Sequence, residues 1–87
     1  MSTADLMRER LSALAPERLE IADESAKHAG HAGAQSGGGH YQLTIVSAQF
    51  AGKPRIARHR MVYGALGTLM QQEIHALAIE AYAPGER

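Results

Sequence analysis

Eighty-seven residues, 45% hydrophobic and 21% charged, have the make-up of one ordinary globular domain, not of a disordered chain. Nine acids balance nine bases and there is no cysteine, which excludes a disulfide framework, a thiolate nucleophile and any self-contained zinc or iron–sulfur site of the cysteine type. No apolar run approaches the roughly 18 residues that span a bilayer, and the charges at Asp5, Arg8, Glu9 and Arg10 read against a signal peptide, so a soluble cytoplasmic protein without a membrane partner is expected.

Ser2-Thr3-Ala4-Asp5 has the form of a helix start, a small hydroxyl cap with a carboxylate three residues later. Leu6, Met7, Leu11 and Leu14 follow at helical spacing, and Pro16 is expected to close the helix. From Arg18 the period becomes two: Leu19 and Ile21 alternate with Arg18, Glu20 and Ala22, which predicts a short half-buried strand. Residues 25–39 have no periodic apolar pattern and hold five glycines, a long flexible loop of the kind that is functional or disordered. Tyr41, Leu43 and Ile45 form one face of a second strand, with His40 ahead of it, packing against or capping the loop. Ala51-Gly52 provides a turn and Pro54 suits the first turn of a helix over 54–71, with Ile56, Val62, Tyr63, Leu66, Leu69 and Met70 as its stripe. Gly64 and Gly67 weaken that helix by about 1 kcal/mol each, so a break or bend is expected there. Ile74 to Tyr82 reads as the last strand, His75 sharing a face with Leu77 and Ile79 or lying at its rim, and Pro84-Gly85 ends an ordered core of about 4–83.

The order α–β–β–α–β describes a single domain over 1–87. The first two strands can pair antiparallel, and the third, reached through a helical crossover, is expected to pair parallel. The prediction is an α+β sandwich: a three-stranded mixed sheet with helices on one face, Leu6/Leu11/Leu14 and Val62/Leu66/Leu69 packed against it.

Five histidines stand out: His28, His31, His40, His59 and His75. Imidazole is the commonest metal ligand. His28 and His31 form an H-x-x-H pair in the loop and can reach one ion, although loop histidines more often face solvent; the helical H-E-x-x-H context of a metalloprotease is absent. His75 is either a hydrogen-bonded histidine at a strand end or a ligand held on a rigid element. The charges are unevenly spread: residues 27–72 hold Lys27, Lys53, Arg55, Arg58 and Arg60 and no acid. Residues 55, 58 and 59 point roughly together, so Arg55 and Arg58, with His59 and Arg60, make a basic patch opposite the Ile56/Val62/Tyr63/Leu66 stripe, which reads either as a solvated helix face or as a phosphate contact. No catalytic triad or paired-carboxylate spacing is recognisable, and an enzyme is not expected.

Several segments in order resemble the BolA family over about residues 4–84. They are Asp23-Glu24-Ser25 leading to His28; His40-Tyr41-Gln42-Leu43-Thr44-Ile45-Val46-Ser47; Phe50-Ala51-Gly52-Lys53; Arg58-His59-Arg60-Met61-Val62-Tyr63 with Ala65-Leu66; and Ile74-His75-Ala76-Leu77-Ala78-Ile79. The resemblance implies a class II KH-like fold and partnership with monothiol glutaredoxins, a monomer or weak homodimer when alone, with roles in iron–sulfur trafficking and iron homeostasis. It implies a [2Fe–2S] cluster shared with glutaredoxin and glutathione, the family's C-terminal histidine falling on His75 and its loop ligand on His28, with His31 a close rival. Imidazole in place of thiolate removes negative charge and raises the reduction potential. The alternative the resemblance carries is a nucleic-acid-binding transcriptional regulator using Arg55, Arg58, His59 and Arg60, although the Gly-x-x-Gly clamp of KH domains is not evident between the expected helices.

Overall fold

The computed structural model describes residues 2–24 and 39–86. The predicted loop, with His28 and His31, lies outside the described residues apart from Gly39.

Helix α1 spans Thr3–Leu11 and starts as expected. Ser2 Oγ accepts from the Asp5 N–H at 3.1 Å and the Asp5 carboxylate accepts from the Ser2 N–H at 3.2 Å, a reciprocal cap. The backbone donor leads in holding the Asp5 carboxyl below its ordinary value, with the Ser2 hydroxyl second. Met7 and Leu11 are fully buried. The chain leaves the α-helix earlier than Pro16: a 3₁₀ turn over Ser12–Leu14 follows, and Ala15, at φ 48, ψ 54, ends it. The residue before a proline is driven out of the right-handed helix, so the stop acts one residue upstream of the proline itself.

Strands β1 (Arg18–Asp23), β2 (Gly39–Val46) and β3 (Ile74–Tyr82) form the predicted mixed sheet in the order β1-β2-β3. β1 pairs antiparallel with β2, from Arg18 opposite Val46 to Asp23 opposite Tyr41, and β2 pairs parallel with β3. Alternation sends Tyr41, Leu43 and Ile45 of β2 and Ile79 of β3 into the core, with Leu19, Ile21, Leu77 and Ala81 packed at its margin. Helix α2 (Arg55–Leu66) and the single turn α3 (Leu69–Gln72) complete the fold. Val62, Leu66 and Leu69 meet Met7, Leu11 and Leu14 over the sheet, as the sequence pattern requires, and Leu66 is fully buried.

The break between α2 and α3 is at Gly67, whose φ of 55 suits glycine; Gly64 stays inside α2. Gly64-Ala65-Leu66-Gly67 does have the Gly-x-x-Gly spacing, contrary to the sequence reading. Within it Leu66 is buried, and its carbonyl accepts from Arg10 Nη1 at 3.2 Å.

Three expectations for this half of the chain need correction. Ile56 is 63% exposed and Tyr63 43% exposed, so neither belongs to the inward stripe. Arg58, placed opposite that stripe by the sequence reading, lies one turn before Val62 on the same face. Its side chain is only 13% exposed and is held from several sides: Nε donates to the Lys53 carbonyl at 2.8 Å, Nη1 to the Ala81 carbonyl at 3.1 Å, and Nη2 to Glu86 at 3.0 Å. The expected end at Pro84-Gly85 is instead a turn, Gly85 at φ 88, that returns Glu86 to Arg58.

Candidate metal centre

The site begins with an irregularity in β3. Gly39 stands opposite Ile74, but His40 stands opposite Ala76, so β3 carries one extra residue at this point and that residue is His75. A bulge of this kind breaks the two-residue alternation and re-aims the side chain it contains. Ile74 consequently turns into the core at 5% exposure, and His75 is exposed instead of continuing the Leu77/Ile79 face. The expected shared face is corrected on that ground: strict alternation over 75, 77 and 79 assumed an unbroken strand.

His75 meets another imidazole. The His40 ring lies with its centroid 5.1 Å away, the planes inclined at 42°. His40 is not ahead of β2 but inside it, half-buried. The pairing of the two histidines was missed in the sequence, because β2 begins before Tyr41 and the bulge that re-aims His75 has no local signature.

The backbone around the pair is firmly tied. Tyr41 is buried with its ring against Gly39, where a Cβ would come within 2.7 Å of the ring's Cζ and Oη, so only glycine fits beneath that ring. The Gly39 N–H donates to the Glu73 carbonyl at 2.9 Å, and the Glu24 N–H to the His40 carbonyl at 2.7 Å. Glu24 and Gly39, the residues flanking 25–38, therefore both sit at the histidine end of the sheet. Glu24, His40, Tyr41, Ala76, Leu77 and Ala78 line a recess of ≈ 290 Å³ there. Among the described residues no three His, Cys, Asp or Glu side chains come together as a complete metal site. His28 and His31 lie outside those residues.

The basic candidates gather at the other end of β3. Lys53, Arg55, Arg58 and His59 line a cleft of ≈ 540 Å³ with Ala81, Tyr82 and Glu86. Arg55, Arg58 and His59 thus share a cleft, as their spacing suggested, while Arg60 is exposed and not among its lining residues. Arg58 is engaged internally, and its bonds to Glu86 hold the Glu86 carboxyl down to about 2, with the Ala83 N–H also contributing.

Among the described residues no helix is long and apolar enough to cross a membrane. A family model described as BolA-like protein matches residues 11–86. The chain is 40% identical over 74 residues to BolA-like protein 1 of Mus musculus, covering 85% of this chain and 52% of that one, and so spans about half the length of that relative. It is 37% identical over 82 residues to the DNA-binding transcriptional regulator BolA of Escherichia coli K12, covering 88% of this chain and 75% of the relative. The structure superposes on the BolA domain of SufE1 from Arabidopsis thaliana with a TM-score of 0.84, at 39% identity and covering 100% of this chain and 98% of that one.

Proposed function

The chain belongs to the BolA-like family, and from that premise we propose that it is a non-enzymatic partner of a monothiol glutaredoxin, sharing a glutathione-assisted [2Fe–2S] cluster in iron–sulfur assembly, trafficking or iron sensing. The observation that carries this reading is His75: an exposed imidazole set by a bulge at the sheet end where Glu24 and Gly39 bracket the segment containing His28 and His31. His28 is four residues beyond Glu24, a reach of at most roughly 14 Å of chain.

The donor set suits part of a cluster's coordination and not all of it. A chain without cysteine supplies imidazoles only, so thiolates must come from the partner and glutathione. When bound, such a cluster supplies electron or cluster transfer, with imidazole ligation raising its potential. What the chain contributes is one fixed ligand on a strand, His75, and one from the loop, His28 with His31 as its substitute. The strand holds His75 in place, and its chain neighbours, Ile74 and Ala76, carry no donor side chain.

Co-purification with a monothiol glutaredoxin and glutathione, followed by visible absorption and circular dichroism, tests the reading. His75→Ala is expected to abolish the heterodimer's distinct visible spectrum while leaving far-ultraviolet dichroism unchanged. His28→Ala weakens that spectrum, and His28→Ala/His31→Ala removes it. A normal cluster spectrum in His75→Ala would overturn the mechanism.

A second reading is favoured by the name of the Escherichia coli relative and by the cations around the α2 cleft. Under it, the chain is a transcriptional regulator contacting phosphates through Arg55, His59 and Arg60. Arg58 is a poor probe of that idea, since removing it also breaks its bonds to Lys53, Ala81 and Glu86. Nucleic-acid affinity should then fall steeply with salt and again in Arg55→Ala/Arg60→Ala. Binding that ignores both changes retires this reading.

A further inference from the structure

We propose that His40 and His75 form a two-imidazole site for one divalent first-row transition-metal ion, zinc being the probe of choice, in the free chain. This goes beyond the shared-cluster reading: it needs no partner, and it uses a histidine of β2 instead of those in the 25–38 segment.

Geometry carries the proposal. Zinc binds imidazole nitrogen at about 2.0–2.1 Å, which puts the centroids of two rings sharing a tetrahedral ion roughly 5 Å apart. The observed separation is 5.1 Å. The bulge creates this proximity: unbroken alternation sends residue 75 toward the core, and the one extra residue instead brings its ring beside His40. Both imidazoles stand on paired strands whose backbones are tied by the Tyr41–Gly39 packing, the buried Ile74 and the Glu24–His40 bond. Little conformational freedom is then lost when an ion joins them.

The chemistry narrows the ligand. Two neutral imidazoles favour zinc, copper or nickel over magnesium or calcium, which prefer oxygen. Among the described residues no third ligand is grouped with the pair, so the two imidazoles by themselves make a site open to water. Such an open site binds more weakly than a closed structural one and leaves the ion exchangeable. Because His75 serves both, an ion held here and a cluster ligated by His75 exclude one another.

The competing account is plain ring packing, since tilted aromatic pairs also lie 4.5–7 Å apart. Calorimetric titration of the metal-free full chain with Zn²⁺, without glutaredoxin or glutathione, separates the two, with Co²⁺ absorption reporting nitrogen ligation. One ion per chain is expected, and His40→Ala and His75→Ala should each weaken binding by about tenfold or more. His40→Gln, which keeps side-chain bulk, gives the same loss and guards against a variant that fails to fold. Three results would each overturn the site: no ion bound by the wild-type chain, undiminished binding in both His40 variants, or binding lost in His28→Ala/His31→Ala while His40→Ala retains it. Since no partner is present, none of these outcomes decides the cluster reading, nor does that reading's failure decide this one.

Discussion

Ala15 takes a left-handed backbone, φ 48, without being a glycine, and its side chain is exposed. A Cβ in that region costs roughly 1–2 kcal/mol, part of which glycine would return as unfolded-state entropy. Ala15→Gly is therefore expected to raise stability by about 0.5–1 kcal/mol, read as a higher urea midpoint at unchanged slope. The opposite case is Gly39, where the Tyr41 ring occupies the place of a side chain. Ser47 shows what single residues conceal in sequence. Its buried hydroxyl donates to the Leu14 carbonyl at 2.6 Å and accepts from the Gln49 N–H at 3.1 Å, tying the end of α1's 3₁₀ turn to the end of β2. Nothing in the local pattern around position 47 announces a partner 33 residues away.

At the scale of elements, the two glycines of the second helix separate cleanly. Gly64 lies inside α2 with open space around it, so Gly64→Ala should stabilise by about 0.5–1 kcal/mol through helix propensity alone. Gly67 has φ 55, and a Cβ there would meet Arg10 Nη1 at 3.3 Å; Gly67→Ala should destabilise by about 1–2 kcal/mol. Thermal unfolding of the two variants side by side checks the contrast. What was legible follows the same division. The cap at Ser2 and Asp5, the alternation of Tyr41, Leu43 and Ile45, and the pairing senses of the strands were readable because each rests on local periodicity or on a connection rule. The phase of α2 was not: two exposed apolar residues, Ile56 and Tyr63, pulled the apparent stripe round and put Arg58 on the wrong side. The bulge at His75 was equally hidden, because a strand's sequence does not state where its neighbour's register slips. Only the facing strand, β2, reveals that His75 and His40 meet.

The whole molecule is closed by the Arg58–Glu86 contact, which joins α2, the end of β3 and the C-terminal turn. With the Glu86 carboxyl lowered from 4.5 to about 2, folding keeps it ionised more strongly than the unfolded chain does. The stabilisation is fully present above the unfolded value and is lost as pH falls from about 4.5 through about 2. The stability difference between the wild type and Glu86→Gln should be largest near neutral pH and shrink steadily across that acid window, as urea unfolding at successive pH values would record. Arg58 has one more consequence. Tyr82 turns its carbonyl toward β2, accepting from the Ser47 N–H, whereas the preceding carbonyl, Ala81, is the one Arg58 takes. β3 is an edge strand of nine residues, and edge strands with open carbonyls invite strands from other molecules. An arginine lying across that edge works against strand-to-strand aggregation, and acid strong enough to protonate Glu86, near pH 2, also loosens this guard, so self-association at that acidity would begin along the outer side of β3.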